Sequence, residues 1–166
     1  CLAAGIQRLI HVSALGAEQA AADNAPSRYL RSKSLGEAAL QAVASSGRLP
    51  LTVLRPSVIF GADDRFLNLF AALQRVFPVL PLAGATARFA PVWVEDVAAA
   101  LVRCLHDGRT AGQTYELCGP DVYTLRELVR LAGRAAGVHG GQGRPVIALP
   151  RALGRLQALR SPRANP

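Results

Sequence analysis

Arg8-Leu9-Ile10-His11-Val12-Ser13 and Leu51-Thr52-Val53-Leu54-Arg55 bracket the part of the chain that decides its fold. Both runs are short, apolar and rich in β-branched residues, and each is punctuated, by Gly5 before the first and Pro56 after the second. The first follows what reads as the end of a helix over 1–4. Between the two runs a polar loop over 16–25 leads into a predicted helix over about 27–46, stopped by Gly47. A strand, a long helical crossover and a second strand make a parallel βαβ unit, right-handed by the general rule, not a hairpin.

The alternation continues downstream. Asp63 or Asp64 is placed to cap a third helix, in which Phe66, Leu69, Phe70, Leu73, Val76 and Phe77 form one apolar stripe before Pro78. A strand is expected over 88–94, then a helix capped by Asp96 and running to His106. Another strand is expected over 114–118, before Gly119-Pro120. Thr124-Leu125-Arg126-Glu127 is a capping box opening a helix that ends near Gly137, and 145–149 reads as a last short strand. Alternating strands and helices predict an α/β fold with a parallel sheet.

Composition agrees with a packed domain. The 166 residues are 51% hydrophobic with a mean hydropathy of +0.22, which excludes a disordered chain. The most apolar stretch, 76–81, is interrupted by Pro78 and Pro81, so no transmembrane run or signal peptide is read. There is no methionine, and the chain begins at Cys1, so it is expected to be an internal piece of a longer protein. Cys1, Cys104 and Cys118 lack metal or disulfide spacing, as do His11, His106 and His139, and a reducing compartment is expected. Of the net charge of +8, seven units fall after Glu127, the last acidic residue, on Arg130, Arg134, Arg144, Arg151, Arg155, Arg160 and Arg163. No nucleic-acid-binding motif accompanies them. A basic tail of this kind suits solvent, anionic lipid or an acidic partner. Arginine far outnumbers lysine, as in a GC-rich genome, and a bacterial, cytoplasmic protein with at most peripheral contact to the inner membrane is expected.

Ligands of open parallel sheets bind at the carboxyl ends of the strands. Ser13 ends the first strand and Arg55-Pro56-Ser57 the second, and the helix between them begins near that edge with Tyr29 and Lys33. Four residues apart, these two share a helix face with Gly36 and Leu40. Lys33 is the only lysine in the chain. An ammonium beside a phenol stabilises the phenolate, and a serine hydroxyl can hold a substrate oxygen while the phenol moves a proton. The hydride of such chemistry must come from a nicotinamide, because side chains supply none.

With these residues in place, the sequence resembles the extended short-chain dehydrogenase/reductase superfamily. The matching stretches are His11-Val12-Ser13, Tyr29-Leu30-Arg31-Ser32-Lys33, Leu54-Arg55-Pro56-Ser57-Val58-Ile59-Phe60-Gly61, Val94-Glu95-Asp96-Val97 and Tyr115-Glu116-Leu117-Cys118-Gly119-Pro120. Ser27-Arg28-Tyr29-Leu30-Arg31-Ser32-Lys33 and Gly61-Ala62-Asp63-Asp64-Arg65-Phe66-Leu67-Asn68 further resemble an atypical branch. That branch contains the NAD(P)-binding accessory subunit of respiratory complex I and its bacterial relatives.

The resemblance implies the C-terminal half of a doubly wound, Rossmann-like parallel sheet, formed by 1–62 and 88–118. It implies a smaller substrate-side lobe from 63–87 and 119–150, leaving 151–166 as the basic tail. It implies Ser13, Tyr29 and Lys33 as the catalytic triad. Tyr29, Lys33, Pro56, Ser57 and Val58 are implied to contact NAD or NADP. The family's glycine-rich pyrophosphate turn is expected upstream of Cys1, because the glycines over 137–143 follow a helix rather than a strand. Three functions remain open on this reading. One is a dinucleotide-binding subunit docked on a respiratory complex. Another is an active epimerase, dehydratase or reductase acting on a nucleotide sugar or other carbonyl compound. The third is a basic scaffold for lipid or an acidic partner.

Overall fold

The structure is a computed structural model and describes residues 5–17, 27–47 and 49–149. The helix read over 1–4, most of the 16–25 loop and the basic tail lie outside the described residues. The elements run in the order β1 Leu9–Val12, α1 Arg28–Ala44, β2 Leu51–Pro56, β3 Ile59–Phe60, α2 Leu67–Val76, β4 Leu80–Ala83, β5 Arg88–Phe89 and β6 Val92–Trp93. They continue with α3 Val94–His106, β7 Thr114–Leu117, β8 Tyr123–Thr124, α4 Leu125–Ala135 and β9 Val146–Leu149. The chain divides into two compact units, Cys1–Gly61 with Pro91–Pro120 and Ala62–Ala90 with Asp121–Pro166.

The first unit is built on a parallel sheet of order β1-β2-β7. Leu9 pairs with Leu51 and Val12 with Leu54 on one side of β2, while Val53 pairs with Thr114 and Pro56 with Leu117 on the other. As the middle strand, β2 buries Leu51, Thr52, Val53 and Leu54 in succession, which is why it reads as an unbroken run rather than an alternating one. Pro56 sits at its last position, where the missing N–H costs no ladder bond, and Ser57 N–H resumes the ladder to Leu117 O at 2.9 Å. Ser27 caps α1, accepting from Leu30 N–H at 3.1 Å. Among the side chains of α1 only Glu37 is buried. Gly119 is required by close approach, since a Cβ there would lie 1.9 Å from Pro91 O.

In the second unit, β4 and β9 pair in parallel and α2 and α4 cover a core of Leu80, Leu82, Ala85, Val129 and Val146, with Phe70, Leu73 and Leu125 packed against it. The capping box of α4 is complete: Thr124 Oγ1 accepts from Glu127 N–H, and the Glu127 carboxylate accepts from Thr124 N–H. The helix closes with Gly137 at positive φ and a Val138 N–H to Gly133 O bond of 3.0 Å.

Three local expectations change, and β4 is present where no strand is expected. The single strand over 88–94 is two short ones, β5 paired with β8 and β6 with β3, because Ala90-Pro91 interrupts the ladder where the chain passes between units. The helix expected from Asp96 begins at Val94 after Trp93, so Glu95 and Asp96 occupy its first turn, where they complement the helix dipole. Asp64 does receive the amides of Phe66 and Leu67, at 2.8 and 2.5 Å. The stripe behind it is nevertheless split, since Leu69 and Val76 are exposed while Ala71 and Gln74 are buried. Finally, β4 forms despite Pro81, whose missing N–H is harmless where the strand pairs on one side only. No described helix is long and apolar enough to cross a membrane.

Candidate functional site

The ladder between β1 and β2 extends past both strands: Ser13 N–H donates to Leu54 O at 2.7 Å and Leu15 N–H to Pro56 O at 2.9 Å. Ser13 and Pro56 are thereby held together at the carboxyl edge of the sheet. Lys33 reaches that edge from α1 and donates from Nζ to Val12 O at 3.1 Å. The same ammonium lies 5.8 Å from the centroid of the Tyr29 ring, within cation–π range. Tyr29 is 59% exposed, so its phenol faces outward. Pro56 is buried, and Ser57 and Val58 are half-buried. Ser57 N–H is committed to Leu117 O, and Val58 O accepts from Val92 N–H at 2.9 Å. The Tyr29–Lys33 contact and the neighbouring ends of β1 and β2 thus come together on one edge.

Below Lys33 lies a polar cluster absent from the sequence-based list of site residues. Glu37, one helical turn further on, is buried and paired with Arg55 of β2. Arg55 Nε donates to Glu37 Oε2 at 3.2 Å and Arg55 Nη2 to Glu37 Oε1, while Gln41 Nε2 donates to Oε1 at 3.1 Å. His11 shares the Ser13 side of β1 and packs beneath Gly36, whose Cβ, were there one, would lie 4.0 Å from His11 Cε1. Two buried atoms of this cluster, His11 Nε2 and Ser13 Oγ, have no hydrogen-bond partner among the described residues.

Burial pushes the Glu37 carboxyl up, but the Arg55 hydrogen bonds, the nearby Ser13 hydroxyl and the positive charge of Arg55 outweigh it and hold the group below its ordinary value. The Ser13 influence is one of proximity, because its hydroxyl closes no bond of good geometry. Burial and the adjacent Lys33 ammonium lower the His11 pKa, with Glu37 opposing them. Glu37 had a signal in the sequence: Tyr29, Lys33, Glu37 and Gln41 follow one another at intervals of four, so the polar stripe runs on past Lys33. His11 and Arg55 stood out only as members of the strand-end stretches, and only the third dimension joins them to Glu37. A shallow depression lined by Gln41, Ala44, Leu51, Gly112 and Thr114 lies at the opposite edge of the sheet and gathers no titratable pair.

A parallel sheet with helical crossovers, one central proline-terminated strand and a tyrosine–lysine helix at its carboxyl edge defines a Rossmann-fold protein of the extended short-chain dehydrogenase/reductase type. Residues 8–100 match the NAD-binding domain family described as male sterility protein, and the chain belongs to that family. It is 44% identical over 130 residues to the mitochondrial NADH dehydrogenase [ubiquinone] 1 alpha subcomplex subunit 9 of Arabidopsis thaliana, covering 76% of this chain and 30% of that protein. It is 35% identical over 131 residues to a ceramide reductase of Caulobacter vibrioides, covering 78% of this chain and 38% of the other. Among solved structures, a dTDP-glucose 4,6-dehydratase of Streptomyces venezuelae with NAD and TYD bound superposes with a TM-score of 0.70 at 22% identity, over 90% of this chain and 50% of that one. The chain spans about a third of the length of the curated relatives it matches. The expectation of a cytoplasmic location is corrected by these relatives. The NADH dehydrogenase relatives from Arabidopsis thaliana, Dictyostelium discoideum and Mus musculus are described as mitochondrial.

Proposed function

We propose that this chain supplies the nicotinamide-ribose side of a dinucleotide site in a mitochondrial protein of the complex I accessory-subunit type, taking NAD or NADP. The observation that carries the proposal is the sole lysine, Lys33, anchored on Val12 O at the carboxyl edge of the sheet and lying against Tyr29. The donor set fits such a ligand: an ammonium with two further N–H groups, an outward phenol and the unpartnered Ser13 hydroxyl. Lys33 would hold the ribose hydroxyls, and Pro56, Ser57 and Val58 would flank the ring. A bound nicotinamide supplies or accepts a hydride. Tyr29 Oη would move the accompanying proton, and Ser13 would orient the substrate oxygen. The unit carrying the β1-β2-β7 sheet is the dinucleotide side of the protein, and the unit carrying α2 and α4 its substrate-side lobe. In the assembled complex, the arginine-rich segment 151–166 would add contact with an acidic face.

Resemblance to a ceramide reductase favours a second reading, in which the same three residues turn over a carbonyl substrate. One set of titrations tests the first reading and separates it from the second. In the full-length protein, Lys33→Ala should weaken NADH or NADPH binding about tenfold or more, as expected for loss of a charged hydrogen-bond donor. Tyr29→Phe should leave affinity within about twofold, because the phenol oxygen serves proton transfer rather than binding. Wild-type affinity in Lys33→Ala would return the pair to a solvated helix face. Turnover of a carbonyl compound that Tyr29→Phe abolishes would establish the second reading.

A further inference from the structure

Three features compete for attention outside the residues already assigned. Arg126, Arg130 and Arg134 line one face of α4, but arginines on the outer face of an amphipathic helix are what solvent alone requires. Gln74 is fully buried and fully bonded, which marks it as architecture. The Glu37–Arg55 pair differs from both. It is buried, charged, directly beneath Lys33, and bordered by two buried polar atoms without partners.

A buried ion pair is weak evidence for stability, because desolvation offsets much of the attraction. It is better evidence for the fixing of geometry. Arg55 grips Glu37 through Nε and Nη2, a fork that defines both distance and plane, and so ties α1 to the end of β2. Lys33 lies one turn before Glu37 and can span to Val12 O only if that turn keeps its rotation and height over the sheet. Charge matters as well. Glu37 faces His11 from β1, Arg55 from β2, and Lys33 and Gln41 from its own helix, and it is the only carboxylate among them.

Building on the dinucleotide reading above, we propose that Glu37 and Arg55 are the positioning pair of the site: their forked bond sets where Lys33 stands, and the Glu37 carboxylate offsets the Arg55 cation so that Lys33 presents the uncompensated positive charge to the ribose. The His11 imidazole reports on this arrangement. Glu37 raises its pKa while burial and Lys33 lower it, so loss of the carboxylate shifts His11 in one direction only.

The test is a pH titration of the His11 Cε1–H resonance together with NADH titrations of the full-length protein, carried out on wild type, Glu37→Gln, Arg55→Lys and Lys33→Ala. Glu37→Gln keeps the shape and removes the charge. It should move the His11 midpoint down, through loss of the carboxylate's charge, and weaken NADH binding about tenfold. Arg55→Lys keeps the charge but loses the fork; it should weaken NADH binding while leaving the His11 midpoint in place. Because Glu37 acts on His11 through charge alone, a merely structural pair would change the melting temperature and move the His11 midpoint in Glu37→Gln but leave the NADH affinity of the folded fraction of both variants alone, and that result overturns the proposal. If Glu37→Gln loses its dispersed spectrum, Arg55→Lys decides: affinity equal to wild type overturns the proposal, and weakened affinity at an intact fold supports it. Lys33→Ala separates the two readings. Should it bind NADH normally, the dinucleotide site itself is misplaced; should it bind weakly while Glu37→Gln and Arg55→Lys bind normally, only the positioning role is wrong.

Discussion

Each unit of this molecule buries polar side chains, and two of those in the first unit, beside the bonded Glu37, Thr52 and Thr110, stand in contrast to Gln74 in the second. In the second unit Gln74 is fully buried and fully satisfied. Its Nε2 donates to Val129 O at 2.6 Å and Phe70 O at 3.3 Å, and its Oε1 accepts from Arg144 N–H at 2.9 Å. In the first unit, Ser13 Oγ and His11 Nε2 are buried beside a charged pair and bond to nothing among the described residues. Buried polar groups are nearly always bonded, so the first pattern is a device for holding the chain together and the second calls for a different explanation. Satisfied polarity builds a fold; polarity left unsatisfied in a fold is characteristic of a site.

Mutation should separate the two regions. The largest effect belongs to Gly133→Ala, whose Cβ would lie 2.1 Å from Gln74 Oε1 and 2.6 Å from its Cδ. Gln74 cannot yield without breaking its bonds to α4 and to Arg144, so a loss of about 3 kcal/mol in denaturant unfolding is expected. Gln74→Leu should follow at about 2 kcal/mol, because Val129 O and Arg144 N–H are left buried without that partner. Neither change should touch dinucleotide affinity. Ser13→Ala should behave in the reverse manner, with stability within about 1 kcal/mol of wild type, since the hydroxyl contributes no bond to the fold. A Ser13→Ala loss as large as that of Gln74→Leu would erase the contrast.

The smallest effect is the pH dependence of stability. His11 has a folded pKa below its ordinary 6.5, and Glu37 one below its ordinary 4.5. In both cases the unfolded chain binds the proton more tightly, so stability falls as pH falls. The decline should begin below about pH 6.5 through His11 and steepen below about pH 4.5 through Glu37. Urea unfolding across that range should show the upper limb in wild type and lose it in His11→Gln.

Much of this arrangement is written in the chain. The βαβ unit was legible because β2, buried on both faces, must be continuously apolar, and because Ser27, Gly47 and Pro56 punctuate it. The capping box of α4 was legible for the same reason: local hydrogen bonding dictates Thr124 and Glu127 three residues apart. Tyr29 and Lys33 were legible as a pair because helical spacing alone brings them together. Other features depend on partners far away in sequence. The two-residue strands β3, β5, β6 and β8 exist only through their pairings, and no periodicity develops over two residues. The split stripe of α2 reflects which side meets α4, through Gln74, a residue that composition would place at the surface. The Glu37–Arg55 pair spans 18 residues and joins a helix to a strand, so only the folded chain brings it together.

The measurement that tests the central claim most directly is chemical acylation of Lys33 in the full-length protein, followed on its own peptide, with and without NADH. Lys33 is half-buried and already bonded to Val12 O, with its remaining N–H groups free to meet a ligand. If the carboxyl edge of the β1-β2-β7 sheet is the nicotinamide-ribose side of a dinucleotide site, saturating NADH should slow acylation of Lys33 about tenfold or more, through occlusion and engagement of the amine. Acylation at the same rate with and without NADH, in a protein shown by titration to bind it, would contradict the account.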